Sequence, residues 1–331
     1  MVGRVVLTEA FKAALCVKQG IAAMRRNSFA EAVRYFDEAL EADPDDVHAH
    51  WNRGTSLLSL GDYIGGFREF EWRWKMYDWR WGLLGEDIYR VRQLKPWRGE
   101  DLNGKHLLFY WEMGYGDGIQ QLRYVSLLHS LGAEVTALML PPLSRLARSM
   151  GVEVIEKVPI EAHALFDYRC SLFGVMAALA QSVEEIPNKP YLPIPFEGGG
   201  GLGLCWSGRT QTEFDLTSFM SRLQLPLGCV TQSLQPGMAQ PFARPLPPGD
   251  FLDTAHVMAK LDHIVTVDTA VAHLAGAMGH PSAHVLIPYQ SDWRWWCSRA
   301  WYPTLNIYRQ REPGDWAVPF AMIGKAIRSP Q

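Results

Sequence analysis

Two turns in this sequence place a carboxylate where an α/β sheet would expose a ligand-binding edge. The first is Glu112-Met-Gly114-Tyr-Gly116-Asp117-Gly118, set between an apolar run and a helical pattern. Its glycines permit close backbone approach, and a helix N-terminus favours negative charge on Asp117. The second is Val267-Asp268-Thr269-Ala-Val-Ala-His273, where a β-branched strand stops at Asp268 and a small-residue helix starts at once. The N–H groups of Thr269, Ala270 and Val271 should then point into a crevice as an anion site. Each turn also has a plainer reading, with Asp117 as an N-cap and Asp268 or Thr269 as a helix cap. A carboxylate on one loop and amide donors on another suit transfer of a group from a phosphorylated donor to a hydroxyl. Asp117 would act as general base and the amides would hold the leaving group.

Other reactive residues are less telling. His273 lies four residues from Thr269 on the same helical face, where it can bind the donor or satisfy a polar contact in the core; a single His on an apolar helix favours the second. His280 and His284 have the spacing of a metal pair, but Pro281 interrupts a helix between them and no Cys or carboxylate cluster accompanies them, so no metal is assigned. The five cysteines are widely spread and never form C-x-x-C, which argues against a disulfide framework or structural zinc and fits a reducing cytoplasm.

Two kinds of element must position these turns. A self-match at a spacing of 34 residues aligns Gly20 with Gly54, Ala32 with Gly66 and Phe36 with Phe70, the tetratricopeptide period, over residues 1–82. Two such repeats bury too little alone and should lean on the next domain or on a second copy of the chain. The run Phe70-Glu-Trp72-Arg-Trp74-Lys-Met-Tyr77-Asp-Trp79-Arg-Trp81 reads as that docking face in preference to a sugar-stacking platform. After a connector over 83–103, strands alternate with helices: Lys105 to Trp111, a helix Ile119 to Gly132, then Glu134 to Leu140, Pro142 to Met150 and Val152 to Ile155. This pattern predicts a parallel, doubly wound half over 104–196. The glycine run Gly198 to Gly201 opens a second half over 197–331. It has a strand ending at Ser207-Gly208, a Pro- and Gln-rich stretch over 222–249, a helix Thr254 to Leu261 and the strand Ile264 to Val267. A cleft is expected between the halves.

At 331 residues, 48% of them hydrophobic, the chain can fill two or three cores. A formal charge of −3 offers no basic field for nucleic acid. No apolar run approaches membrane-spanning length, and the N-terminus has no secretory h-region.

The motifs Gly116-Asp117-Gly118-Ile-Gln120-Gln-Leu-Arg123-Tyr124, Trp206-Ser207-Gly208, Asp250-Phe-Leu-Asp253, Asp268-Thr269-Ala270-Val271-Ala-His273 and Asp292-Trp293-Arg294-Trp295, in this order behind the repeats, resemble bacterial tetratricopeptide-repeat proteins with a heptosyltransferase-like core of glycosyltransferase family 9. The protein O-GlcNAc transferases are more distantly similar. The resemblance implies a GT-B fold, two Rossmann-like domains that bind a nucleotide-sugar in their cleft without a catalytic metal or other cofactor. It implies Asp117 as base, with Gly116 and Gly118 as donor-binding residues beside it. Asp268, Thr269, Ala270 and Val271 would hold the donor's diphosphate and ribose, and Ser207, Arg209 and His273 would join the donor site. Arg209 stands where relatives carry a basic loop, but its position departs from their pattern. Gln120, Arg123 and Trp293 would serve the acceptor or the framework. The implied activity is inverting transfer of a hexosyl or heptosyl group from a nucleotide-sugar to a hydroxyl of a protein or glycan, the repeats recruiting the acceptor; a homo-oligomer is one way for the short repeat array to find the support it lacks. The alternative is a catalytically degenerate scaffold that binds a nucleotide or a partner protein without turnover.

Overall fold

The computed structural model describes residues 9–76, 87–208, 216–223, 229–237 and 241–328. Four helices come first: α1 (Glu9–Arg25), α2 (Phe29–Ala42), α3 (Val47–Leu60) and α4 (Tyr63–Phe70). The 34-residue spacing has a steric basis. A Cβ on Gly20 would meet the Phe36 ring at 2.5 Å, and one on Gly54 would meet Gly66 O at 3.0 Å and the Phe70 ring at 3.1 Å. In both repeats a glycine makes room for an aromatic ring from the paired helix.

A 3-10 turn (Glu71–Lys75) follows α4, and helix α5 (Asp87–Gln93) precedes the first sheet. Strands β1 (His106–Tyr110), β2 (Glu134–Leu138), β3 (Glu153–Ile155) and β4 (Tyr168–Ser171) lie parallel in the order β3-β2-β1-β4. Their helices are α6 (Tyr115–Gln121), α7 (Val125–Ser130), α8 (Pro141–Arg148), α9 (Ala162–Leu165) and α10 (Leu172–Leu179). The second sheet holds β5 (Leu202–Cys205), β6 (Thr231–Ser233), β7 (His263–Val267), β8 (Ala283–Ile287) and β9 (Leu305–Arg309), parallel in the order β6-β5-β7-β8-β9. Helices α11 (Leu216–Leu223), α12 (Phe251–Ala259), α13 (Ala270–Met278), α14 (Ser298–Trp301) and α15 (Ala317–Arg328) accompany it. Strand order reverses between β1 and β4 and again between β5 and β7, which opens a crevice at the C-terminal edge of each sheet. Two Rossmann-like halves set edge to edge are the GT-B arrangement.

The structure departs from the sequence reading in several places. The helix expected from Ile119 to Gly132 starts earlier, at Tyr115, and breaks into a 3-10 turn at Leu122–Tyr124. The cause is competition for carbonyls: Tyr191 Oη donates to Ile119 O at 2.9 Å, and Arg123 Nε to Gln120 O at 3.2 Å. Strands β4, β6, β8 and β9 are additional, β6 lying within the Pro- and Gln-rich stretch, and the helix expected from Thr254 to Leu261 runs from Phe251 to Ala259.

One continuous core runs from α4 through the first sheet into the second half. Phe67 and Phe70 of α4 pack on Phe173 of α10, with ring centroids 6.3 and 5.3 Å apart, and on Trp293, at 5.5 and 6.1 Å. Trp301 Nε1 donates to Tyr63 Oη at 2.8 Å. From the aromatic run, Trp74 docks against Tyr110 and lies under the Arg169 guanidinium, 4.7 Å away. Trp72 stays on the repeats and stacks on His50 at 3.6 Å. Tyr77, Trp79 and Trp81 lie outside the described residues. The repeats therefore lean on the α/β halves, as two units need to do.

The five cysteines are free thiols. Among the described residues no helix is long and apolar enough to cross a membrane.

Small residues on α13 let it approach its neighbours closely. A Cβ on Gly276 would fall into the Tyr302 ring. Gly276→Ala should therefore cost about 1–3 kcal/mol through overpacking, read as a lower urea midpoint with unchanged m-value. A variant as stable as the parent would show that the Tyr302 ring can move aside.

Candidate active site

The turns that follow β1, β5, β7 and β8 enclose a cavity of about 880 Å³. Gly116 and Asp117 form one wall; Ser207, Asp268, Thr269, Ala270 and His273 form the other; Asp292 and Arg294 close the end. The walls are held close together by absent side-chain volume, since a Cβ on Gly116 would meet His273 Cδ2 at 2.5 Å.

Asp117 is not an N-cap. It sits in the first turn of α6, and its Oδ2 accepts from Gly114 N at 2.8 Å. Its Oδ1 accepts from Arg294 Nη2, an ion pair across the cleft between the two halves. Arg294 sits in a 3-10 turn (Trp293–Trp295) capped by Asp292, whose Oδ1 accepts from Arg294 N at 3.0 Å and from Arg294 Nη1 at 2.8 Å. Arg294 Nε donates to Gln120 Oε1 at 2.6 Å. The guanidinium thus arrives already oriented.

On the other wall Thr269 is the N-cap of α13, its Oγ1 accepting from Val271 N at 3.3 Å. One of the three amides expected to face a ligand therefore has an internal partner, because an extended Thr at this position folds its hydroxyl back over the first turn. Thr269 and Ala270 line the cavity itself.

The electrostatics follow from three carboxylates and one guanidinium sharing this space. Burial pushes the Asp117 carboxyl above its ordinary value, with Arg294 and the Gly114 amide pulling the other way. Burial, then the charge of Asp292, pushes Asp268 up to about 7. Burial acts against the charge of Arg294, but Asp292 and Asp117 outweigh it and keep the side chain cationic. His273 is held well below its ordinary value by burial and by Arg294 and Arg123, so it is neutral; its Nδ1 lies 2.9 Å from Tyr302 Oη.

A second chamber of about 520 Å³ adjoins the first and shares Tyr115, Ser207, Gln235, Thr269 and Ala270 with it. Its remaining wall is mostly apolar, with Leu246, Pro247 and Phe251 among its residues, and Val271 belongs here. Gln235 Oε1 accepts from Ser207 N at 3.2 Å and fixes the partition between the chambers.

The remaining residues singled out from the sequence lie behind the cavity. Gly118 packs against Leu143, where a Cβ would come within 2.5 Å. Gln120 orients Arg294 from below. Arg123 is buried and donates from Nη1 to Pro187 O at 3.0 Å and to Trp301 O at 2.9 Å, a framework cation with no exposure to the cleft. Trp293 points into the repeats rather than toward an acceptor. Arg209 lies outside the described residues. Asp292 and Arg294 were missed as site residues, although their segment was among the quoted motifs, because Asp-Trp-Arg-Trp reads as aromatic packing. Among the described residues no three His, Cys, Asp or Glu come together to hold a metal ion.

Residues 17–64 match the model for tetratricopeptide repeats, and residues 229–285 match that for glycosyltransferase family 9 (heptosyltransferase). The second match spans β6 to β8 and includes the Asp268-Thr269 turn. The chain thus carries a tetratricopeptide-repeat segment and, behind it, a segment of family 9 type. Protein FlbA of Caulobacter vibrioides is 20% identical, over 90% of this chain and 64% of FlbA, so the chain spans less than two thirds of that relative's length. Among solved structures, the iron-containing dodecameric glycosyltransferase TibC of enterotoxigenic E. coli is 10% identical over 64% of each chain, with a TM-score of 0.47. TibC, described there as a heptosyltransferase, has also been solved with ADP-D-β-D-heptose. The E. coli heptosyltransferase WaaC with ADP is 12% identical over 62% of this chain and 90% of its own, with a TM-score of 0.40.

The raised Asp268 carboxyl has a consequence for stability. Between its ordinary 3.8 and about 7 the folded state keeps a proton that the unfolded chain has released, so its contribution to stability falls as pH rises through that window. Asp268→Asn should remove this slope. Urea melts should show the variant gaining on the parent by on the order of a few kcal/mol from the acid to the alkaline side of the window. A difference that does not change with pH would mean that Asp268 titrates normally.

Proposed function

We propose that the protein is a metal-independent, inverting glycosyltransferase that moves a hexosyl or heptosyl group from a nucleotide-sugar to a hydroxyl of a protein or glycan. The observation that carries this reading is the facing of Asp117 and the Asp268-Thr269-Ala270 helix N-terminus across one cavity that opens into an apolar chamber. The chamber suits the flat base of a nucleotide, and the α13 N-terminus suits its diphosphate. The carboxylate-rich end suits a sugar, whose hydroxyls donate to Asp268 and Asp292.

In the reaction the acceptor oxygen attacks the anomeric carbon while Asp117 takes the hydroxyl proton. The bond from that carbon to the diphosphate oxygen breaks on the opposite face, so configuration inverts. Burial helps by keeping the Asp117 carboxyl more basic than an exposed aspartate. Negative charge developing on the leaving diphosphate meets the amides at the start of α13 and the Arg294 guanidinium, the cation among the described residues that line the cavity. Arg294 would thus supply what the sequence reading sought from Arg209. The match of residues 229–285 to family 9 supports the same chemistry.

A scaffold without turnover has one observation in its favour: Asp117 is already paired with Arg294. Calorimetry with nucleotides singles out a scaffold that binds only a partner protein, which gives no heat with any of them, and a scaffold that holds a nucleotide gives heat but no nucleotide release.

The test is nucleotide release from a panel of nucleotide-sugars, ADP-heptose included, with and without cell extract as acceptor. Asp117→Asn should lower kcat by about 10²–10⁴-fold with little change in donor KM. Arg294→Gln should raise donor KM and lower kcat together, by at least about tenfold in kcat/KM. Full activity in Asp117→Asn would remove it as the base.

A further inference from the structure

Arg73 leaves the repeats and enters the α/β core completely buried. Its guanidinium grips Glu112 as a fork, Nε donating to Oε2 and Nη2 to Oε1, both at 2.9 Å. Nη2 also reaches Ser171 Oγ at 3.2 Å, and Nη1 donates to Phe70 O at 2.9 Å and Glu71 Oε1 at 2.6 Å. Glu112 is the first residue of the turn that carries Asp117. The next residue, Met113, has φ 71°, a left-handed conformation in a residue with a side chain. Such a conformation costs on the order of 1 kcal/mol or more and persists only where the surroundings impose it. Gly114 follows, and its N–H holds Asp117.

Cohesion alone does not call for this ion pair. Two buried charges return about what their desolvation costs, and an apolar pair would pack as well among Phe70, Phe173 and Trp74. What the fork adds is direction, because a bidentate guanidinium fixes the plane and the depth of a carboxylate. The brace has a second arm. The Phe173 ring lies 5.5 Å from the Arg73 guanidinium and 5.5 Å from that of Arg294, so α10 connects the strut to the other member of the Asp117–Arg294 pair.

We infer that Arg73 is a positioning residue for Asp117: the repeat segment supplies the strut that holds the turn from Glu112 to Asp117 in its strained conformation. The inference rests on the reading of Asp117 as the base. The repeats are then part of the active site's framework, whatever else they bind.

The test pairs Arg73→Met/Glu112→Leu, which removes both charges and leaves neither orphaned, with the conservative Arg73→Lys, which keeps the charge but not the fork. Asp37→Ala is the control, since it loosens the Arg53 ion pair within the repeats and touches neither turn. Amide exchange of Gly114 and Gly118 should accelerate about tenfold or more in the double variant, less in Arg73→Lys and not in the control. Nucleotide release should lose on the order of 10²-fold in kcat with donor KM within about threefold. Parental exchange and kcat in a folded double variant would overturn the inference; should that variant not fold, parental exchange and kcat in Arg73→Lys would do so. If the parent releases nucleotide from no donor, the proposed function fails, yet the exchange measurement still decides whether Arg73 holds the turn.

Discussion

The ion pair between Asp117 and Arg294 is the constraint on which the cleft depends. It joins the turn after β1 of one sheet to the turn after β8 of the other, so it sets how closely the two halves approach. Arg294 is 5% exposed and needs its charge answered, which Asp292 and Asp117 do together. Removing either acid would leave a cation buried with one partner fewer, a cost that apolar packing cannot recover. The same geometry explains the small residues around it. Gly116 faces His273 across the cleft, and any side chain at Gly116 would push the walls apart, while Gly276 makes room for the Tyr302 ring within the second half.

The repeats enter this arrangement from behind. The aromatic rings of α4 contact Phe173 and Trp293, the two rings that lie against the Arg294 guanidinium. Trp293 and Arg294 are neighbours in a tight 3-10 turn, and the Arg294 guanidinium lies 4.4 Å over the Trp293 ring, so the ring that meets the repeats also carries the cation that lines the cleft. The contact that anchors the repeats therefore also presents the cation, and the two-repeat array gains the support it lacks alone.

Much of this was legible in the sequence, and the exceptions have physical causes. The Asp268-Thr269 turn could be read because a β-branched strand gives way to a small-residue helix without an intervening loop. The repeats could be read because a glycine and an aromatic must recur together when one fills the space the other vacates. Strands β4 and β6 were not legible: Tyr168-Arg-Cys-Ser and Thr231-Gln-Ser are short, and their pairing rests on neighbours far along the chain. The break after Gln121 depends on hydroxyl and guanidinium donors that compete for helix carbonyls, one of them from Tyr191, which no local pattern can show. Arg294 was missed for a similar reason, since its exposure to the cleft is decided by where Trp293 finds its partners.

The Trp301–Tyr63 hydrogen bond spans 238 positions along the chain. During synthesis, at about 5–20 residues per second, α4 therefore waits on the order of 10–50 s for the segment that covers its aromatic face. Phe173 reaches Phe67 and Phe70 earlier, but Tyr63 and the ring faces that meet Trp293 stay uncovered until this later segment emerges. The contact that closes this face comes from far along the chain, and until it forms the nascent protein carries an exposed apolar flank.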